Sequence, residues 1–410
     1  MDPVWLLLLL PAAAASGWFA ANRGSGFGRK RNASQLPSAY FRGLNFLINE
    51  QPDKAIELFL KVLEVDTETV EMHLAVGNLF RRRGEIERAT RIHQNLVARP
   101  NLDKHQRAQA LYELGQDYFK AGLFDRAEQL FAELADNSEY EQQARKYLLQ
   151  IFDQEKEWDS AIAVANTLAQ KFNEDTSTVS AQYCCELAEV AITEGRYDQA
   201  QQHVAAALKA DRDCVRATIQ AGRLHALHGD HKKAVMAWRT IENQNQAYVG
   251  EVVDLISNSY RALDDLEGLQ DFLRLALQKH RDVKLMLALT ETMDSRSGGD
   301  KAERFLVDWL RRYPTLHGLY RLIQLKLRHT KGPAKTDLKL LEGMIGGIVG
   351  KESSYECKQC GFTGLSLHWQ CPGCKGWNTS APKQALSIVP PLSELPKTGS
   401  ILDKPVEKNS

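Results

Sequence analysis

The chain has 410 residues, and its 52 lysine and arginine side chains are balanced by 52 aspartate and glutamate side chains. A balanced chain creates no overall field that would attract nucleic acid, so we predict no nucleic-acid partner. The length would ordinarily indicate two or three domains, although a repeat array of this length can form one body.

The N-terminal stretch of residues 3–21 carries no charge and predicts a transmembrane anchor over residues 1–21. As a helix this stretch would be about 28 Å long, close to the roughly 30 Å hydrocarbon core of a bilayer. Trp5 and Trp18 lie near its ends, where aromatic residues favour the membrane interface. A cleaved signal peptide is the alternative, but Asp2 precedes the apolar region in place of the basic residues that such a peptide carries.

A linker rich in glycine, serine and arginine follows over residues 22–35. Its basic residues predict that the rest of the chain lies in the cytosol, because positive charge is enriched on the cytosolic side of membrane anchors. We therefore expect residues 3–21 to contact the lipid bilayer and the protein to cross it once. The basic residues in question are Arg23, Arg29, Lys30 and Arg31.

Residues 36–350 show the period of tetratricopeptide repeats, which are stacked pairs of antiparallel helices. Two of the intervals between successive repeats are longer than the others, which predicts inserted loops near residues 101–104 and 172–176. Weaker units follow around Leu273 and Leu306, and helices over 316–328 and 338–349 would cap the array. The marker alanines of the second helices are Ala55, Ala89, Ala127, Ala161, Ala200 and Ala234, and the turn glycines are Gly84, Gly122, Gly195 and Gly229.

The first helices of such repeats line a concave surface, where polar, basic and aromatic side chains would suit an acidic or extended protein segment. The alternative is that these positions are polar because water must wet the inner face of any solenoid. The repeat offsets direct ten side chains to that surface, namely Asn78, Arg81, Arg82, Tyr112, Gln116, Phe119, Gln150, Arg223, Asn258 and Arg261.

Two CxxC pairs, Cys357 with Cys360 and Cys371 with Cys374, predict a small metal-binding module over residues 351–382. Four thiolates complete a tetrahedral site and leave no open position for hydrolytic chemistry. Zinc and iron both suit such a site, and the spacing does not choose between them.

Cys184, Cys185 and Cys214 lie in the repeats and are interpreted as small buried apolar residues, which favours a reducing compartment.

Two further patterns resemble functional motifs but are better explained without them. His225, His228 and His231 have a spacing that could bind a metal, yet they fall across a repeat turn. Residues 346–351 resemble a phosphate loop, but they follow a helical pattern and lack the serine or threonine of that motif.

We predict no catalytic residues and no enzymatic activity. The tail over residues 383–410 is rich in proline and serine and is predicted to be disordered.

An anchor, a repeat array and a C-terminal metal module, in this order, resemble the lipopolysaccharide assembly protein B family (LapB, also called YciM). Residues 355–377 are similar to the rubredoxin-type ribbon of that family. The resemblance implies an all-α tetratricopeptide superhelical solenoid with an N-terminal transmembrane helix and a small C-terminal rubredoxin-like ribbon. It also implies that the four cysteines of the ribbon bind one iron or zinc ion. Lys375 departs from rubredoxin, because a glycine would follow the second CxxC pair there.

The resemblance further implies an adaptor at the bacterial inner membrane, with its repeats and ribbon on the cytoplasmic side. Family members promote degradation of the LpxC deacetylase by the FtsH protease and so regulate lipopolysaccharide biosynthesis, and the membrane protein PbgA/YejM antagonises them. The alternatives are a rubredoxin-type electron carrier and a general membrane-tethered scaffold. A homo-oligomer is also possible.

Overall fold

A computed structural model of the chain describes residues 42–43, 45–46, 49, 51, 54–55, 57–58, 70–136, 139–351 and 353–383. The predicted anchor, the predicted linker and the tail beyond residue 383 lie outside these residues. Among the described residues, no helix is long and apolar enough to cross a bilayer. The chain divides into two compact units, residues 1–141 and 142–410, and each is described by itself.

The first unit contains two complete helix pairs, preceded by short helical stretches at residues 42–46 and 54–58 of which only part is described. The complete helices are α1 (Val70–Arg82), α2 (Ile86–Val97), α3 (Lys104–Lys120) and α4 (Phe124–Ala135).

The second unit continues the helix pairs and ends in a small ribbon. Residue 141, the first of α5, is the last residue of the first unit. The helices are α5 (Glu141–Glu155), α6 (Trp158–Phe172), α7 (Ser177–Thr193), α8 (Tyr197–Ala210), α9 (Val215–Leu227), α10 (His231–Arg239), α11 (Ile241–Gln244), a 3-10 helix (Gln246–Val252), α12 (Val253–Ala262), α13 (Leu266–His280), α14 (Val283–Ser297), α15 (Gly299–Arg312), α16 (Leu316–His329) and α17 (Pro333–Val349).

The repeat pattern is confirmed at its marker positions. All six predicted alanines are fully buried, because a methyl group is as much as the space between paired helices admits. The four predicted turn glycines have φ between 74° and 80°, a conformation that glycine adopts without steric cost. Lys156 and Asp264 adopt the same left-handed conformation in turns that lack a glycine.

Both predicted loop insertions are present. Near residue 101, the side chain of Asp103 accepts a hydrogen bond from the backbone of Gln106 and forms a capping box that starts α3. Near residue 172, Asn173 ends α6 in the left-handed conformation, and α7 begins at Ser177.

The last helix begins earlier than the hydrophobic period predicts. The period predicts a start at residue 338, whereas α17 starts at Pro333. Proline suits the first helical position because its missing N–H needs no partner there, and the positive φ of Gly332 turns the chain into the helix. The 3-10 helix was not predicted either, since its seven residues are too few to show a period.

The ribbon is a three-stranded antiparallel sheet in the order β2–β1–β3. Its strands are β1 (Tyr355–Cys357), β2 (Thr363–Gly364) and β3 (Ser380–Pro382). Beyond β3, the backbone N–H of Lys383 donates to the carbonyl of Ser354 at 2.8 Å. The two ends of the ribbon therefore lie side by side.

Three glycines allow the paired helices to approach closely. A Cβ on Gly115 would lie 2.8 Å from the ring of Phe131, and one on Gly222 would lie 2.2 Å from the ring of Trp238. A Cβ on Gly77 would lie 2.2 Å from the ring of His93. In all three pairs the ring residue stands sixteen residues after the glycine. In each pair, the ring of the second helix fills the space that the missing side chain leaves on the first.

We expect Gly222→Ala to destabilise the second unit by about 1–3 kcal/mol, because the new methyl group overlaps a buried ring. Trp238 cannot turn aside easily, since its indole N–H donates to the carbonyl of Ile219 at 3.1 Å. The control is Gly343→Ala in α17, where nothing lies within 4 Å and a small gain in helix stability is expected. Denaturant unfolding measures both variants, and equal stability would contradict the close packing.

Candidate metal centre and repeat surface

The four cysteines of the ribbon lie on two knuckles with the same backbone design. In the first, Gly361 donates its N–H to the carbonyl of Cys357 at 2.9 Å, and in the second Lys375 donates to Cys371 at 2.9 Å. Gly361 has φ 76° and Lys375 has φ 59°. The lysine that departs from rubredoxin therefore adopts the left-handed conformation that the turn requires, at a modest steric cost.

The sulfur atoms are arranged as ligands of one ion. All four lie within 4.8 Å of one another. The Sγ atoms of Cys357 and Cys374 are 3.7 Å apart, and those of Cys360 and Cys371 are 3.6 Å apart. A tetrahedral ion with bonds of about 2.3 Å would place its sulfur ligands about 3.8 Å from one another. The four cysteines thus form a rubredoxin-like metal site that suits zinc or iron.

The surroundings of the thiols also indicate a cation. A contact with the hydroxyl of Thr379, helped by backbone N–H groups, lowers the pKa of the Cys357 thiol to about 6. The backbone N–H of Phe362 acts on Cys360 in the same direction, but burial and the other three thiols raise the pKa of Cys360 to about 12. Thiols this close cannot all ionise by themselves, whereas a divalent cation would hold all four as thiolates.

The second knuckle attaches the ribbon to the repeats through one carboxylate. The indole N–H of Trp377 and the amide of Gln370 each donate to Asp153 of α5 at 2.8 Å. The ring of Trp377 also meets Trp158 and Tyr183 edge-on, with centroid separations of 6.0 and 5.9 Å. Burial raises the pKa of Asp153 against the effect of these hydrogen bonds.

A second aromatic contact is built on Trp369. Its ring stacks on Tyr248 of the 3-10 helix at 5.7 Å, and the guanidinium of Arg216 lies 6.0 Å from its centroid. The hydroxyl of Tyr248 donates to the carbonyl of Ser380 in β3 at 2.6 Å. The unpredicted 3-10 helix therefore supplies part of the surface that the ribbon covers.

A third contact involves the first strand of the ribbon. The hydroxyl of Tyr355 donates to Glu251 at 2.9 Å, and the same carboxylate pairs with Lys284 at 2.8 Å. With the contacts of Trp369 and Trp377, this fixes the ribbon on helices α5, α6, α7, α9 and α14 and on the 3-10 helix. The sequence did not predict this docking, because no local pattern shows which part of the repeats a ribbon covers.

The predicted groove residues of the first unit differ in accessibility. Arg82 is exposed. Arg81 is largely buried and contacts Asp117 at 2.9 Å and Glu113, while Asn78 accepts from it at 2.5 Å. Gln116 donates to Glu113 at 3.3 Å. Tyr112 stacks on Tyr140, and Phe119 lies against Phe124.

The Arg81 network continues into the core of the first unit. Asp117 is fully buried and bonds the ring nitrogen Nδ1 of His93 at 2.5 Å. His93 is the ring that packs on Gly77. A signal for this packing is present in the sequence, since His93 has the same offset from Gly77 as Phe131 has from Gly115 and Trp238 has from Gly222.

The predicted groove residues of the second unit are exposed. They are Gln150, Arg223, Asn258 and Arg261. The last two contact each other at 3.1 Å, and Arg261 also pairs with Glu291. Their part in binding a partner stays a prediction.

The two rejected motifs have ordinary roles. His228 contacts the carbonyl of Leu224 and His231 contacts Ser259, so the two rings face different partners. Residues 346–349 are helical.

Cys184, Cys185 and Cys214 are buried among alanines, as predicted. Within the part of the chain that the structure describes, the ribbon cysteines are the one group placed to share a metal.

Similarity to known proteins agrees with this architecture. A family model described as a rubredoxin metal binding domain matches residues 355–382, and a tetratricopeptide repeat model matches residues 112–176 and 185–238. Lipopolysaccharide assembly protein B of Escherichia coli K12 is 36% identical over 93% of this chain and 98% of its own length. The chain belongs to the lipopolysaccharide assembly protein B family.

Two further proteins are similar to this chain. The family member of Haemophilus influenzae is 33% identical over 92% of this chain and 97% of its own length. Among solved structures, Naa15/Naa10 bound to HypK-THB is similar with a TM-score of 0.45 and 14% identity, over 76% of this chain and 46% of that chain.

For this member of the LapB family, we expect Cys371→Ser together with Cys374→Ser to abolish metal binding and to make the ribbon sensitive to protease. So short a segment depends on its metal for a stable fold. Metal analysis and limited proteolysis measure the two effects. Cys184→Ala, in the buried thiol cluster, is the control and should keep one metal ion per chain. Retention of the metal in the double variant would contradict the assignment.

We expect Asp153→Ala to weaken the docking of the ribbon by about 1–3 kcal/mol, because two N–H donors lose their acceptor. Asp153→Asn should lose less, since it keeps one acceptor oxygen and removes a partly buried charge. Asp198→Ala, at an exposed position of α8, is the matched control. Hydrogen exchange at the indole N–H of Trp377 reports the docking, and equal rates in all three variants would contradict this role of Asp153.

Proposed function

We propose that this protein is a non-enzymatic adaptor that regulates lipopolysaccharide biosynthesis by delivering the LpxC deacetylase to the FtsH protease at the inner membrane. The observation that carries the proposal is the 36% identity to a lipopolysaccharide assembly protein B over 93% of the chain. Because the match includes the ribbon as well as the repeats, it concerns the whole architecture and is more specific than a shared repeat fold.

The two parts of the described chain suit an adaptor in different ways. A metal site filled by four protein ligands offers no open position to a substrate, so the ribbon acts as a structural element. Exposed basic side chains occur on the first helices of several repeats, at Arg82 in the first unit and at Arg223 and Arg261 in the second. A repeat surface of this kind binds an extended segment of a client through several weak contacts.

The predicted anchor supplies the third feature of the adaptor, which is its attachment to the membrane. A tether over residues 1–21 would hold the repeats beside membrane proteins and raise the local concentration of a bound client there. A weak contact with the repeats is then sufficient for delivery. PbgA/YejM, which the family resemblance implies as an antagonist, would compete for the same protein.

The central test is the half-life of the deacetylase in cells that lack this protein. We expect the half-life to lengthen and lipopolysaccharide to accumulate, and expression of the full chain should restore both. A chain without residues 1–21 should restore them poorly. An unchanged half-life would remove the adaptor function and leave a tethered scaffold with another client.

The repeat surface is tested separately by charge reversal. Arg223→Glu should weaken the binding of the deacetylase or the protease by about 1 kcal/mol, or about fivefold in Kd, as expected for an exposed charge. Lys232→Glu, at an exposed position of the second helix α10, is the matched control. Arg81 is a poor probe because its reversal would also break the ion pairs with Glu113 and Asp117. Equal affinities of the Arg223 and Lys232 variants would argue against this surface.

A further inference from the structure

The last helix of the array, α17, has two apolar faces. Leu338, Ile345 and Val349 are half-buried on the face toward α16, where Gly346 lies against the ring of Tyr320. A second row of apolar side chains lies on a different face of α17 and is exposed to solvent. This apolar stripe consists of Leu340, Leu341, Met344 and Ile348, whose side chains are 66, 45, 61 and 55% exposed.

A stripe of this kind is unusual for the end of a repeat array. Terminal repeats normally present a polar outer face, because no further repeat covers them. The four residues follow the helical period, so they form one continuous surface along about 12 Å of the helix. Such a surface indicates a docking site, and the question is what occupies it.

The position of the ribbon shows that the segment after Lys383 lies within reach of the apolar stripe. Lys383, the last residue of the described ribbon, is hydrogen-bonded to Ser354. Ile348, at the near end of the stripe, precedes Ser354 by six residues and therefore lies within about 20 Å of it. The chain beyond Lys383 thus continues from a point close to the C-terminal end of α17.

The sequence beyond Lys383 has the composition of an apolar strap. Proline at positions 390, 391 and 396 excludes a regular helix and favours an extended conformation of about 3.1 Å per residue. Residues 384–395 would then span about 37 Å, enough to reach Ile348 and to follow the stripe to Leu340. The apolar side chains of this segment are Leu386, Ile388, Val389, Leu392 and Leu395.

A strap that runs from the C-terminal toward the N-terminal end of α17 would follow the stripe from Ile348 to Leu340. In place of the disorder that the composition of the tail predicts, we propose that residues 386–395 dock as an extended strap on the apolar stripe of α17 and cap the C-terminal end of the repeat array.

A photo-crosslinking residue in place of Met344, in the full chain, tests the occupant directly. Irradiation should join position 344 to residues 386–395 of the same chain. When isotopically heavy and light chains are mixed, both peptides of each crosslinked pair should be heavy or both should be light. Mixed labels would show a second copy on the stripe, and crosslinks to other segments or none to the strap would equally overturn the proposal. Met236, which is 68% exposed on α10, is the control position and should give no strap peptide.

A second measurement tests the energetics without a probe on the stripe. Cleavage after Glu394 by a glutamate-specific protease should be at least about tenfold faster in Leu340→Gln with Met344→Gln than in the unaltered chain, because the rate follows the open population of the strap. Met236→Gln should leave the rate unchanged. Equal rates in the double variant and the unaltered chain would overturn the docking. Neither measurement depends on the deacetylase or the protease, so the outcome is independent of the proposed adaptor function.

Discussion

The close contact between paired helices is the constraint on which the repeat array depends. Fully buried alanines at the marker positions bring the helices together, and glycines such as Gly222 receive an aromatic ring from the partner helix. Because these contacts fix the distance within each pair, the first helices present their outer residues at regular intervals. The exposed Arg223 and Arg261 owe their positions to this spacing.

The ribbon depends on a different source of order. Its three strands are two or three residues long, so backbone pairing contributes little, and the four cysteines around one ion would hold its knuckles together. The second knuckle carries Trp377 close behind Cys374, and Trp369 stands just before Cys371. We therefore expect metal binding and the docking of both tryptophans to be coupled, since the loops that carry the cysteines also carry the rings that contact the repeats.

This coupling explains why a closed metal site suits a protein of the lipopolysaccharide assembly protein B family. A site with four protein ligands stabilises a shape. In the second unit that shape covers Asp153, Tyr183 and Tyr248, whereas Arg223 and Asn258 stay exposed. The ribbon thus separates a part of the repeat surface that is covered within the chain from a part that is exposed to solvent. An apolar strap on α17 would close the end of the array in the same way.

The sequence by itself determined the repeat period, the turn glycines and the four candidate metal ligands, because each is a local pattern of residue types at fixed spacing. The family followed from the resemblance of residues 355–377 and of the order of the segments. The sequence also contained the offset of His93, although the buried pair with Asp117 could be recognised only from the structure. Tertiary structure alone decided that Arg81 is engaged by two carboxylates and that Asp153 receives two donors from the ribbon. The physical reason is sequence distance. Asp153 and Trp377 are separated by more than two hundred residues, and no local pattern records which distant surfaces the stacked helices bring together.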